Sequence, residues 1–325
     1  MRKLFLWLLA LGLLLSGCGQ AGEPAEASAF LLDTAVSVRI YEGGGRDTAQ
    51  AALDLCAGYE KIFSRTDPDS ELYRLNHREI TQVSDELAQV IALGLDYGRS
   101  TGGAFDITMG AVSELWDFAA EDPALPDGEE VARRLAHTGW ETVSVEGNTV
   151  TFADPETVID LGGVAKGYIA DRLADFLRGE GVTSAIIDLG GNLYCLGSRP
   201  GGEPFQVGIQ YPYEERQTTI GGLPAENLSV VTSGLYERSF TLNGRLYHHI
   251  LDPDTGWPVE NDLLAVSIVS ERSVDGDALS TACFVLGLEA GMDLVEDTEG
   301  VEAVFITDDF QVHLSSDLED VFYLT

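Results

Sequence analysis

One five-residue string constrains this chain more than any other. Ile159-Asp160-Leu161-Gly162-Gly163 recurs, 28 residues later, as Ile187-Asp188-Leu189-Gly190-Gly191. Each copy closes a short apolar run, Val158-Ile159 and Ala185-Ile186-Ile187. Between them lies a helical pattern with Ile169, Leu173, Phe176 and Leu177 on one face. The pattern predicts strand, Gly-Gly turn, helix, strand, Gly-Gly turn, a βαβ-like unit whose helix packs on a sheet. Paired glycines let a backbone pass close to a ligand and leave its amides free, and amides at a helix start form an anion site. Lys166 falls in the first turn of that helix, within reach of a phosphate. The plainer alternative is two glycine turns that only end strands.

Charge narrows what such a site can serve. The chain carries 54 acidic and 19 basic residues, a formal net charge of −35. No basic stripe is visible, which argues against nucleic acid. The excess acid suits a soluble surface in a high-salt or extracellular setting. A polyanionic ligand would need local neutralisation by a metal ion or by backbone dipoles. With 325 residues and 45% hydrophobic content, the chain can bury a large core.

Residues 1–18 read as a lipoprotein signal peptide. Arg2 and Lys3 precede an apolar run from Leu4 to Leu15, too short to span a bilayer, and Leu15-Ser16-Gly17-Cys18 resembles a bacterial lipobox with Cys18 as the lipidated residue. Residues 19–29 are small and polar, as a tether needs, and 30–325 are expected to form one domain. Cys56, Cys195 and Cys283 lie in apolar contexts without CxxC spacing, so buried thiols are expected and not a disulfide framework.

In order, the patterns predict a strand over 30–41, a helix over 48–63, a short helix begun by Ser70, and a helix capped by Ser84. A glycine-marked loop, Thr101 to Gly110, holds Asp106 and Thr108 and leads to a short helix over 111–118. A hairpin over 142–152 follows, then the duplicated unit, then strands over 193–196, 205–209 and 228–232. A hairpin turning at Asn243-Gly244, a strand over 264–269, a helix from Val274 and strands over 301–306 and 311–314 complete it. Helices and strands alternate without a βαβα rhythm, so the class is α+β.

Three stretches carry chemistry. Asp277 and Thr281 are one turn apart on a helix, roughly opposite a stripe of Ala278, Leu279, Ala282, Cys283 and Leu286. A carboxylate and a hydroxyl so placed are hard oxygen donors suited to Mg²⁺, or else a solvated polar face. His248-His249 ends a strand before a rigid Asp252-Pro253 turn. Histidine is the default base near neutral pH, and only one of two neighbours on a strand can face a given site. Val231 to Arg238 ends a strand in Ser233-Gly234 and then supplies an aromatic and a cation, for a phosphate, a ring, or an ordinary turn. Zinc spacing, a nucleophile elbow, a P-loop and a GxGxxG fingerprint are all lacking.

Together these stretches resemble the ApbE family of FAD:protein FMN transferases. The matching motifs are FSRTDPDSELYRLN (63–76), TGGAFDIT (101–108), IDLGGVAKGYIAD (159–171), IIDLGGN (186–192), VTSGLYER (231–238), HHILDPDTG (248–256) and DALSTA (277–282), in family order across nearly the whole mature chain. The resemblance implies an α+β, T-fold-like architecture of mixed sheets and packed helices, with two interleaved sub-modules and the active site between them. It implies Mg²⁺-dependent transfer of FMN from FAD to a Thr or Ser hydroxyl of a target flavoprotein, an Rnf- or Nqr-like subunit or an extracytoplasmic FMN-binding domain, with release of AMP. The enzyme would sit outside the cell membrane on its lipid anchor. The competing expectations are an FAD pyrophosphatase yielding FMN and AMP, and a flavin-binding lipoprotein without catalysis.

By the same resemblance, the side chains of Asp277 and Thr281 and a main-chain oxygen of Gly163 match the metal ligands. Leu32, placed in the first strand, with Asn76, Ala104, Phe105, Asp106, Asp160, Lys166 and Ile250 match the flavin contacts. His249 matches the histidine expected as base for the incoming hydroxyl. The chain departs from the family where Leu32-Asp33-Thr34 stands for Met-Gly-Thr, and where Ser280 replaces a second carboxylate found in some members.

Overall fold

The structure is a computed structural model that describes residues 23–214 and 218–325. Residues 1–18 with Cys18 lie outside the described part, as do residues 19–22 of the expected tether. Fifteen strands and seven α-helices follow in the described chain. They are β1 (Ala25–Leu31), β2 (Thr34–Glu42), α1 (Arg46–Phe63), α2 (Glu71–Asn76), α3 (Asp85–Ser100), α4 (Gly110–Ser113), α5 (Gly128–Leu135), β3 (Val143–Glu146), β4 (Thr149–Phe152) and α6 (Ala165–Gly179). Then come β5 (Ser184–Leu189), β6 (Asn192–Leu196), β7 (Phe205–Gln210), β8 (Thr219–Ala225), β9 (Leu228–Gly234), β10 (Ser239–Leu242), β11 (Arg245–His248), β12 (Leu263–Ser270), α7 (Ser273–Glu296), β13 (Val301–Thr307), β14 (Val312–Leu314) and β15 (Tyr323–Leu324).

An eight-stranded sheet in the order β1-β2-β5-β6-β9-β12-β13-β14 forms the frame, and every strand pairing in it is antiparallel. This fits the α+β class and corrects the βαβ-like expectation. The first IDLGG copy is not a strand of this sheet. It is an extended segment held by one parallel bridge, Met109 to Val158, and by Asp160 N–H donating to Ile107 O at 2.7 Å. The second copy is a hairpin. Gly190 and Gly191, both at positive φ (69° and 100°), turn β5 into β6, a conformation that glycine adopts without a Cβ penalty. The same pentapeptide thus makes two different turns.

Two further boundaries move. The single strand expected over 30–41 is a hairpin, β1 and β2, joined by Leu32-Asp33 at φ 54° and 57°. Leu32 is therefore a turn residue and not a strand residue. Positive φ at both central positions matches the strand twist, but this turn lacks the Asn-Gly signature that reveals one in a sequence. Strand β1 also begins at Ala25, inside the stretch expected as tether, because Ala25 to Leu31 pair residue for residue with β2. The helix expected over 111–118 shrinks to α4. The acid-containing residues 121–127 lead into a further helix, α5, capped by Asp127.

Three apolar cores flank the large sheet. The first lies under α1, α3 and α6 and includes Val38, Leu53, Ile91 and Ile169. The second fills the space between the large sheet and the three-stranded sheet β15-β8-β7, with Phe205, Leu223, Val304 and Ile306. The third holds Ile268, Phe284 and Phe305. Strand β12 is buried at every position. Ala265 and Val269 face the second core and Val266 and Ile268 the third, as the period of two requires.

Helix α7 sends Val274, Ala278 and Ala282 into the first core and Leu279, Cys283 and Phe284 into the third. It is long and apolar enough to cross a membrane by composition, yet in this fold its first three turns are interior. The expected stripe holds at Ala278, Leu279, Ala282 and Cys283 and fails at Leu286. Leu286 is exposed just before a kink at Gly287, while Asp277 on the supposedly solvated face is only 5% exposed. Asp277 faces α6, and the half-buried Thr281 lies between Ser233 of β9 and the Gly163 bend. Contact between the two helices is close: a Cβ on Gly167 would come within 2.4 Å of Ser273 O and 2.8 Å of Asp277 Cβ.

Gly167→Ala should therefore force α6 and α7 apart and cost ~1–3 kcal/mol, read as a lowered denaturant midpoint. Gly58→Ala in the interior of α1, where an added Cβ meets nothing within 4 Å, should instead stabilise by ~0.5–1 kcal/mol. Equal midpoints for the two variants would contradict this packing.

Candidate active site

Helices α6 and α7 meet at the centre of the site. Asp277 Oδ2 accepts the Gly167 backbone N–H at 2.8 Å, and Oδ1 lies 3.6 Å from Lys166 Nζ. Both donors belong to the first turn of α6, whose end carries partial positive charge. A buried carboxylate is expensive unless paired, and here the ammonium and the helix start pair it. Lys166 Nζ also donates to Gly162 O at 3.3 Å, so the lysine folds back over the glycine bend. The sequence places Lys166 and the two glycines correctly at a helix start, but it does not reveal that Asp277 supplies the anion there.

Thr281 lies one turn further along α7. A Cβ built on Gly163 would sit 3.7 Å from Thr281 Oγ1 and 2.9 Å from the Phe105 ring. The missing side chain at Gly163 leaves the space beside Asp277 and Thr281 open. The donor set around that space is a carboxylate, a hydroxyl and a peptide backbone, all hard oxygens of the kind Mg²⁺ selects. Among the described residues, no group of three or more His, Cys, Asp and Glu is placed to hold a metal. The set therefore suits an ion that keeps waters or takes its remaining oxygens from a substrate phosphate, as Mg²⁺ commonly does, rather than one caged by protein alone.

The TGGAFDIT loop packs against the same bend. Thr101 Oγ1 donates to Tyr97 O at 2.7 Å and accepts from Phe105 N–H at 3.1 Å, fixing the start of the loop on α3. The Tyr97 hydroxyl donates to Asp275, tying α3 to α7. Phe105 is buried with its ring edge-on to Tyr97, and Ala104 is half-buried beside it. Asp106 Oδ1 accepts both the N–H (2.7 Å) and the hydroxyl (2.6 Å) of Thr108. Burial raises the Asp106 pKa, and the Thr108 bonds oppose that rise.

Asp160 is held on three sides. Its Oδ1 accepts from Gly162 N–H at 2.9 Å, Ser113 Oγ donates to Oδ2 at 3.0 Å, and Arg65 Nε lies 3.4 Å from Oδ2. Neither Ser113 nor Arg65 stands out in the sequence as a site residue.

Asn76 makes a pair of bonds that the sequence does not show. Its Nδ2 donates to Ile159 O at 2.8 Å and its Oδ1 accepts from Ile159 N–H at 2.9 Å. The carboxamide thus clamps the segment that carries the glycine bend. Arg78, just beyond, reinforces the clamp by donating to Asn76 O (2.6 Å), Pro155 O (3.0 Å) and Thr157 O (2.6 Å) while stacking on Phe152. Four residues expected to act on a ligand are thereby assembled around one bend: Phe105, Asp160, Gly163 and Lys166.

Of the two histidines, His248 is buried against Phe284, with Nε2 at 3.0 Å from Val259 O. His249 is half-buried, near enough to Lys166 for that ammonium to act on its ring. Its Nδ1 lies 3.3 Å from Arg238 O, which fixes that nitrogen as the donor and leaves the Nε2 lone pair available. Its pKa is pushed down to about 4, first by burial and then by the charge of Arg238, with smaller contributions from His248 and Lys166; the Arg238 carbonyl works against them. The ring is therefore neutral at physiological pH. Ile250 is buried in the third core, and Leu32 lies in the β1–β2 turn with its N–H donating to Glu60 Oε1 at 2.7 Å.

The chain matches the ApbE family over residues 32–305. It is 34% identical over 296 residues to the FAD:protein FMN transferase of Klebsiella pneumoniae (strain 342), covering 89% of this chain and 91% of the relative. It is 33% identical over 334 residues to the FAD:protein FMN transferase of Treponema pallidum (strain Nichols), covering 94% and 92%. The crystal structure of the ApbE protein of Thermotoga maritima superposes with a TM-score of 0.84 at 30% identity, over 91% of this chain and 98% of that one. The likeness spans the glycine bend, the α6–α7 contact and the histidine strand alike, and the chain belongs to the ApbE family.

Proposed function

We propose that this protein transfers FMN from FAD to a Thr or Ser hydroxyl on a partner flavoprotein, leaving a phosphoester-linked FMN and releasing AMP. The observation that carries this reading is the opening bounded by Gly163, Asp277, Thr281 and Lys166, which gathers oxygen donors and an ammonium where a diphosphate can lie. Family membership and the activity named for the relatives support it.

Asp277, Thr281 and the backbone at Gly163 would hold Mg²⁺, which when bound neutralises diphosphate charge. The remaining work falls to the chain itself. Lys166 and the amides at the start of α6 offer positive charge to the phosphates, which matters in a protein of net charge −35. The Phe105 loop and Asp160 shape the cleft beside the bend. His249 Nε2 takes the proton as the acceptor oxygen attacks the FMN phosphorus. The new P–O bond forms on that side, and the P–O bond to AMP breaks on the other. Phosphoryl transfer of this kind depends chiefly on positioning and charge neutralisation.

Residues 1–18 we read as the signal of a lipoprotein joined to lipid at Cys18, which would place the enzyme outside the cytoplasmic membrane beside a membrane redox subunit or a tethered FMN-binding domain. Cys18→Ser should move the protein from the membrane fraction to the soluble fraction, and unchanged membrane association would contradict the anchor.

Incubation with FAD, Mg²⁺ and an FMN-binding domain carrying an acceptor threonine should give an acceptor heavier by one FMN moiety and an equal amount of AMP. AMP without a modified acceptor would mean hydrolysis, and neither product would mean a flavin binder. His249→Ala should slow transfer by about 10²–10⁴-fold while FAD still binds.

The base must be unprotonated, so the rate falls as pH drops through its folded pKa. With that value near 4, kcat/KM should stay level from pH 7 to about 5 and fall only below that. Arg238→Ala removes a neighbouring cation, makes protonation easier and should shift the acid limb upward, toward the ordinary histidine value. A limb that stays in place in Arg238→Ala would show that His249 is not the titrating base.

A further inference from the structure

We propose that Ser233 is a positioning residue that sets the direction of the Thr281 hydroxyl so that its lone pairs, and not its proton, face the cation position. The proposal rests on the reading that Asp277 and Thr281 hold a divalent cation.

The argument is a count of protons. Ser229, Val231 and Ser233 of β9 face α7, since the Ser229 hydroxyl reaches Ser273 at 2.8 Å and a Cβ on Gly276 would touch Val231. Ser233 Oγ stands 2.9 Å from Ser280 Oγ and 3.3 Å from Thr281 Oγ1. Ser280 has one proton, and it donates that proton to the Asp277 carbonyl at 3.1 Å, a bond one turn back along the helix. Ser280 can then only accept from Ser233. The single proton of Ser233 is spent on Ser280, so Ser233 can only accept from Thr281. Each hydroxyl is one donor with two lone pairs, and all three bonds form together in this order alone.

The chain therefore runs from Thr281 to Ser233 to Ser280 to the Asp277 carbonyl. It draws the Thr281 proton toward the sheet and leaves both lone pairs of that oxygen on the side of Gly163. A hydroxyl binds a cation through its lone pairs, so the arrangement is the one a metal ligand needs. The chain also ends on the backbone of Asp277, the other side-chain ligand in this reading, and so couples the two. Ser280 is fully buried and Ser233 half-buried, which shelters the chain from competing water. Ser280 relays a proton direction and adds no charge.

The test is Mn²⁺ titrated into full-length protein saturated with FAD, without acceptor, followed by loss of the free-ion EPR signal. Removing a partner that orients a metal ligand typically weakens metal affinity by about 10–100-fold, and Ser233→Ala should do so while FAD binding without metal is unchanged. Ser233→Thr keeps the hydroxyl and should bind Mn²⁺ as the wild type does. Ser280→Ala removes the acceptor for the Ser233 proton, which is then free to turn onto Thr281, so it too should weaken binding. Wild-type affinity in Ser233→Ala would overturn the proposal while leaving the metal reading intact. Equal weakening in Ser233→Ala and Ser233→Thr would also overturn it, by showing that shape and not the hydroxyl matters. Failure of the wild type itself to take up Mn²⁺ would overturn the metal reading, and Ser233's part with it.

Discussion

The structure depends on one hydrogen bond between two helices, from the Gly167 amide to the Asp277 carboxylate. It joins α6 and α7 where they are closest, and it places a negative charge inside the protein beside the positive end of a helix. Asp171, one turn further along α6, repeats the device. Its carboxylate accepts the backbone N–H groups of Ser273 and Val274 at 2.7 and 3.1 Å, satisfying two free amides at the start of α7. Burial raises the Asp171 pKa to about 6, and those two amide bonds hold it down. The two helices are thus registered against each other by carboxylates pointing in opposite directions, one from each helix.

From that contact the remainder of the site follows by extension. Asn76 and Arg78 clamp residues 155–159 from the end of α2, so the glycine bend enters α6 from a fixed direction. The Tyr97 bond to Asp275 brings α3, and with it the Phe105 loop, to the same helix pair. Strand β9 approaches from the sheet side and presents Ser233 to Ser280 and Thr281. Loops with little regular structure are thereby held by backbone-directed hydrogen bonds, as sites that must position a substrate require.

Much of this was legible in the sequence, and what was not has physical reasons. The caps Ser70 and Ser84 were readable because a hydroxyl before an apolar period has one common use. The Asp277–Thr281 pair was readable as a turn-spaced couple, but its burial was not, because the helical stripe says nothing of a second helix packed on the polar face. The duplicated IDLGG suggested one unit made twice. Only the second copy needs positive φ at its glycines, whereas Gly163 matters because a side chain there would strike Phe105. Such a close approach is a property of two distant segments and leaves no local mark. The Leu32-Asp33 turn was hidden because its residues are not the usual ones. Strand β8, Thr219–Ala225, was hidden because two glycines and a proline interrupt its apolar pattern. Ser233 was noted only as part of a turn, since proton direction among hydroxyls appears only when three of them meet.

The three cores have one further property. Each encloses a single thiol: Cys56 in the first, Cys195 in the second and Cys283 in the third. All are fully buried, and burial lifts each pKa to about 12, with Glu60 adding to the effect at Cys56. A protonated thiol without access is inert to alkylation and oxidation. Chemical labelling of any one of them then requires that its own compartment open. The chain carries three internal clocks, one per compartment, able to tell whether the protein breathes piecewise or comes apart all at once.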